Sequence, residues 1–101
     1  MYLTMCGRID IQPNSINEAV KAGFGVDWNT KENRDLRPTQ RVDALLSAPT
    51  GFVQTGLQWG IRPSWSKQLL INAQAETVAT KQTFRDSFES RRCVIPCSGW
   101  Y

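Results

Sequence analysis

The apolar positions of the chain follow two different periods. Ile16, Ala19 and Val20 fall at helical spacing, Ser15 and Glu18 have the spacing of a capping box, and Gly23 offers a stop. The pattern predicts a short helix over 15–22 with those three apolar residues on its buried side. Before it, residues 6–12 read as a short strand. After it, residues 25–41 are polar and turn-rich, with Asn29, Asn33, Asp35 and Pro38. They read as a loop longer than most connections, which raises the expectation that it has a function. Val42–Ala48, the Pro49-Thr50-Gly51 turn and Phe52–Trp59 then predict a hairpin.

The second half of the chain is less regular. Gly60–Lys67 reads as a structured loop, Leu69–Ile71 as a short apolar stretch, and 83–90 as an amphipathic helix capped at Thr83 with Phe84 and Phe88 on one face. Arg92–Ile95 is a third strand candidate, halted by Pro96, and it would bury Cys93. In an extended segment from Ile71 to Thr77, Asn72, Gln74 and Glu76 would share one face. Gly99-Trp100-Tyr101 places aromatics that favour burial directly after a strand and turn, so the chain reads as part of a longer domain.

Composition narrows the class. The chain has 101 residues, 41% of them apolar, enough for one small core. It contains no apolar run long enough for a membrane span and no secretory signal pattern. Three cysteines without framework spacing suit a reducing cytoplasm. The formal charge is +3, a modest basic excess. With no histidine, the chain alone supplies no histidine-dependent triad. Cys93 and Cys97 lack the partners for a zinc site, so no metal or cofactor is expected.

Several residues carry candidate chemistry. Cys6 stands beside Gly7 and Arg8 in Met5-Cys6-Gly7-Arg8. Most cysteines outside disulfides are small buried apolar residues. An arginine neighbour would instead favour a thiolate nucleophile. Once Cys6 is the N-terminal residue, its amine and thiol form a 1,2-aminothiol that can condense with an aldehyde. The ring-opened abasic site of DNA is such an aldehyde. Trp59-Gly60-Ile61-Arg62-Pro63-Ser64-Trp65, with Lys67, suits single-stranded nucleic acid, because aromatic faces stack on bases while cations follow phosphates. Equally, Trp59 can close a strand against the core and Trp65 can cover a loop. Lys81, Arg85, Arg91 and Arg92 form a basic set that is either a solvated face or part of a phosphate groove.

Taken in order, these motifs identify a family. Met-Cys-Gly-Arg, Trp-Gly-x-x-Pro-Ser-Trp, Ile-Asn-Ala-x-Ala-Glu-Thr-Val, Phe-Arg-Asp-x-Phe, Arg-Arg-Cys-x-Ile-Pro and Gly-Trp-Tyr closely resemble the SOS-response-associated peptidase (SRAP) family of abasic-site-processing proteins. The resemblance runs from Cys6 to Tyr101 and covers about the first half of the family domain. It implies an α+β fold with a curved, barrel-like, mainly antiparallel sheet and peripheral helices, here truncated. It also implies loss of a leader, residues 1–5, partly by self-cleavage.

The implied function is a sensor and shield for abasic sites in single-stranded DNA, acting through a covalent thiazolidine crosslink. Cys6 falls on the nucleophile and Asn72 on the asparagine that positions the reacting groups. Arg8 falls on a phosphate-contacting arginine, and Pro38 and Trp65 fall in the DNA-holding loops. The implied setting is the cytoplasm, near the nucleoid. Gln74 stands where the family has a phosphate-binding arginine, which costs roughly 1.5–3 kcal/mol of contact if nothing compensates. Asp35 replaces a frequent asparagine. The family glutamate after Gly-Trp-Tyr and a later histidine are absent from this chain. The alternative is a truncated relative that only binds single-stranded DNA or is inactive.

Overall fold

The computed structural model describes residues 6–101. The expected leader therefore lies outside the described residues. These residues form two compact units, one of 6–59 with Cys93–Tyr101, the other Gly60–Arg92.

In the first unit, β1 (Ile9–Ile11) leads into α1 (Pro13–Phe24), followed by β2 (Asn33–Leu36), β3 (Arg41–Ala48), β4 (Gly51–Gln58) and the final strand β5 (Gly99–Trp100). The class is α+β with antiparallel pairing throughout, as expected. β1 is the centre of a three-stranded sheet ordered β2-β1-β5, and β3 and β4 form a two-stranded sheet. These sheets do not close into a barrel among the described residues.

Helix α1 starts earlier and ends later than its spacing predicts. Pro13 occupies the first turn, where its fixed φ suits a helix and its missing N–H costs nothing. Gln12 is the N-cap and makes no side-chain cap bond, so the Ser15/Glu18 capping box is not the start. The helix passes through Gly23 and stops at Gly25, whose φ of 70° is left-handed and whose N–H reaches the Lys21 carbonyl at 3.0 Å. Ile16 and Val20, four apart, are buried, whereas Ala19 is exposed.

The hairpin forms as predicted. β3 and β4 pair from Arg41↔Gln58 to Ala48↔Gly51, leaving Pro49 and Thr50 as the loop. Val42, Ala44 and Leu45 of β3 are buried. Leu45 is also bridged on its other edge by Val94, through N–H to carbonyl bonds of 2.7 and 3.0 Å. That single bridge is all that forms of the strand expected at 92–95, and Cys93 beside it is exposed rather than core.

Ile9, Ile11, Ile16, Val20, Trp28, Leu36, Val42 and Leu45 make one hydrophobic cluster, with Cys6, Val26, Trp59 and Cys97 packed against it. Trp28 brings the polar loop down to this core. Gln54 of β4 secures the same loop by accepting the Asn29 N–H at 3.1 Å and donating to the Asn29 carbonyl at 2.7 Å. Residues expected to form only a loop thus include both a core tryptophan and strand β2.

The second unit is held by turns. Ile61 and Leu70 form an antiparallel bridge with bonds of 2.8 and 2.7 Å. Arg62 Nη1 donates to the Lys67 carbonyl at 2.8 Å, and the Ser66 N–H to Pro63 at 3.0 Å, closing the loop around Trp65. The Gln74 carbonyl accepts the N–H groups of Thr77 and Val78, so the segment turns at Gln74. The extended reading that aligned Asn72, Gln74 and Glu76 on one face does not hold. Helix α2 (Arg85–Ser90) begins after Phe84 without a side-chain cap, so Thr83 does not cap it. No described residue of this unit is fully buried.

Candidate functional site

Cys6 enters the site from the residues just before β1. It is half-buried and packs against the core cluster, and its Sγ lies 3.9 Å from the Arg8 carbonyl oxygen. The β1–β5 pairing continues past its ends. The Tyr101 N–H donates to the same Arg8 carbonyl at 3.2 Å, and the Ser98 N–H donates to Asp10 at 2.8 Å. This pairing brings Cys97 into the neighbourhood of Cys6 and Asp10. The Cys97 thiol is pushed above its ordinary range by burial; the Gly99 backbone hydrogen bond opposes the rise, and the neighbouring Cys6 and Asp10 add to it.

Arg8 does not point its guanidinium into open solvent. Its Nε lies 3.4 Å from Asp35 Oδ1, and the guanidinium stacks 3.8 Å over the Tyr101 ring. Arg37 Nε donates to the same Asp35 oxygen at 3.0 Å. Arg34 Nε pairs with Asp10 at 3.3 Å, while Gln12 donates to the other Asp10 oxygen at 2.7 Å. The Tyr101 hydroxyl donates to the Arg34 carbonyl at 2.8 Å. Three arginines and two aspartates on or beside β1 and β2 thus form two ion-paired groups, Arg8–Asp35–Arg37 and Arg34–Asp10, and Tyr101 touches both Arg8 and the Arg34 carbonyl.

Pro38 lies in the turn Arg37–Gln40, closed by the Gln40 N–H to the Arg37 carbonyl at 3.2 Å. Proline at the second position followed by Thr39 at φ 76° is the signature of a type II turn. The Thr39 N–H bonds Trp59 at 2.8 Å, and Gln58 Nε2 bonds the Thr39 carbonyl at 3.2 Å.

The first unit therefore holds Cys6, Arg8 and Pro38, and the second unit carries Trp65, Asn72 and Gln74. Within the second unit Trp65 is 68% exposed, a surface available for stacking, Asn72 is half-buried, and Gln74 is exposed. In the basic set, Arg92 stacks over Phe88 at 3.8 Å, and Arg91 bonds Ser87 at 3.0 Å. A cavity of about 570 Å³ opens in the first unit over Ile11, Leu36 and Pro96. None of the sequence-predicted site residues lines it. No group of three or more His, Cys, Asp or Glu among the described residues is arranged to hold a metal ion, and no described helix is long and apolar enough to cross a membrane.

Comparison with known proteins decides the family. The model of the SOS response associated peptidase (SRAP) family matches residues 5–101. The chain belongs to the SRAP family. It is 29% identical to the abasic site processing protein YoaM of Bacillus subtilis (strain 168) and 32% identical to YobE of the same strain, each alignment covering 96% of this chain. YoqW of Bacillus phage SPbeta is 28% identical over the same share. The alignments cover 46% of YoaM, 48% of YobE and 47% of YoqW, so the chain spans about half the length of these SRAP relatives. No solved structure matches the chain.

Sequence reasoning missed Asp10, Arg34 and Arg37. The run Asn33-Arg34-Asp35-Leu36-Arg37 carried a signal, since a single buried leucine among alternating charges marks an edge strand with a charged outer face.

Proposed function

We propose that this chain acts on abasic sites in single-stranded DNA, with Cys6 as the covalent nucleophile. The observation that carries the reading is the setting of Cys6. Its thiol is held against the core next to an arginine-rich face, at the start of the segment matching a family whose relatives are named for abasic site processing.

The chemistry requires that residues 1–5 be removed, by a start at Met5 with loss of that methionine or by self-cleavage. The freed Cys6 amine then adds to the C1 aldehyde of the ring-opened site, giving a carbinolamine. Loss of water gives an imine, as a lysine would form. The Cys6 thiolate attacks the imine carbon, and the nitrogen takes up a proton. This closes a five-membered thiazolidine with net loss of one water. Asn72 positions the reacting groups, Arg8 holds a phosphate, and Pro38, Trp65 and Gln74 contact the strand around the lesion. Such a protein would serve as a DNA-damage shield in the cytoplasm, near the nucleoid.

A second reading is binding without chemistry. Gln74, standing where the family has a phosphate-binding arginine, favours it.

The experiment is to incubate the protein with single-stranded DNA bearing an abasic site and to run a denaturing gel. A shifted band absent in Cys6→Ala is expected, together with Cys6 as the first residue by N-terminal mass spectrometry. Measurable binding with no shifted band in the wild type would leave only the second reading.

A further inference from the structure

Asp35 holds the arginine that the proposed function assigns to phosphate. One carboxylate oxygen accepts from Arg37 Nε at 3.0 Å and lies 3.4 Å from Arg8 Nε as an ion pair, so a single anionic oxygen serves two arginines as a phosphate oxygen can. The side chains of Arg8, Arg37 and Asp35 are 40%, 56% and 57% exposed. Ion pairs in so much water are weak and readily exchanged. The Asp35 backbone is held apart from these ion pairs, its N–H donating to Asn33 Oδ1 at 3.0 Å. Tyr101 fixes Arg8 from the other side through the guanidinium stack. Asp10 engages Arg34 in the same way at 3.3 Å. Around β1 and β2 three guanidinium groups thus stand against two carboxylates, a net charge of one.

We propose that Asp35 is a built-in competitor of nucleic-acid phosphate at Arg8 and Arg37, which lowers the affinity of this face for a single strand and flattens its salt dependence. The inference rests on the single-stranded DNA reading and adds a residue that sets its strength. An arriving phosphate must displace the carboxylate before both arginines are available. Two partly neutralised arginines also displace fewer condensed counterions from the strand than two unpaired ones, so binding responds less to salt. A strand that supplies adjacent phosphates gains more from the exchange than a lone anion does. The arrangement favours extended polyanions over small ones.

The test is the binding of a fluorescein-labelled oligothymidylate to the full chain by anisotropy across a salt series. Asp35→Asn keeps the shape and the backbone bond while removing the competing charge. It is expected to bind about 3- to 10-fold tighter, with a log–log salt slope steeper by about 0.7 for each phosphate newly engaged. Asp27→Asn is the control. Asp27 pairs with Lys21 at 3.2 Å at the end of α1, and the variant adds the same net charge away from the arginine face. It is expected to stay within about 2-fold of wild type. Asp35→Ser serves as a second neutral variant should Asp35→Asn lose its native circular dichroism. Binding by the wild type with neither Asp35 variant tighter than Asp27→Asn would overturn the inference alone. No binding by any of the proteins would overturn the nucleic-acid reading and this inference with it.

Discussion

The two units place candidate chemistry on different kinds of support. In the first, Cys6 packs directly on a cluster of eight buried residues, and Arg8 continues the β1–β5 pairing. In the second, Trp65, Asn72 and Gln74 sit on a segment with no fully buried residue, shaped by a two-residue bridge and a series of turns. Core packing positions a side chain cooperatively, because moving it disturbs many neighbours. Turn hydrogen bonds position it locally and open one at a time. Cys6, the proposed nucleophile, is thus backed by the core, whereas the residues proposed to surround the DNA are held by the local chain.

The sharpest test of this contrast is truncation on each side. Leu45→Ala, which empties a core position 3% exposed, should cost about 2–5 kcal/mol in urea unfolding. Leu70→Ala, at a half-buried position of the second unit, should cost about 1 kcal/mol or less. Equal losses would break the comparison. Next in size is Gly60→Ala. Gly60 has φ 111°, and a Cβ there would meet the Leu69 side chain at 2.9 Å. We expect a penalty of about 1–3 kcal/mol, seen as faster proteolysis within 60–92 while protection of the β3–β4 amides is retained. Loss of protection in both units together would show that they unfold as one.

The smallest effect concerns Cys97. Its folded thiol is raised above the unfolded value, so the folded chain keeps this proton to higher pH than the unfolded chain does. Its stabilising contribution is therefore complete below the unfolded pKa and is lost as pH rises from there through the folded value. Cys97→Ala should remove this part of the alkaline decline in melting temperature. Exposed Cys93 should also be alkylated before half-buried Cys97. Equal labelling rates would mean that the burial around Cys97 is transient.

What was legible in the sequence follows the same division. The hairpin could be read because its strands flank Pro49-Thr50-Gly51, and α1 because Ile16 and Val20 repeat at four. Trp28 could not be read as core, since its neighbours are polar and it reaches the cluster through a loop with no period. β2 was hidden because Arg34 and Asp35 face water and only Leu36 is buried. Cys93 misled because its apolar neighbours Val94 and Ile95 suggest a buried strand, yet only the backbone of Val94 pairs and the residue is 51% exposed. The motif order identified the candidate residues, but it held no information about the Asp35 ion pairs, which depend on how β1 and β2 align.

Thr39 bears on whether the Pro38 turn could be moved to another protein. A β-branched residue at φ 76° is strained by about 1–3 kcal/mol, and the bonds to Trp59 and Gln58 are what hold it there. Excised as a peptide, Arg37–Gln40 would relax to negative φ at the threonine. The bonds between Arg37 and Gln40 close the turn, but its threonine conformation also draws on the end of β4, so a graft should carry that end with it.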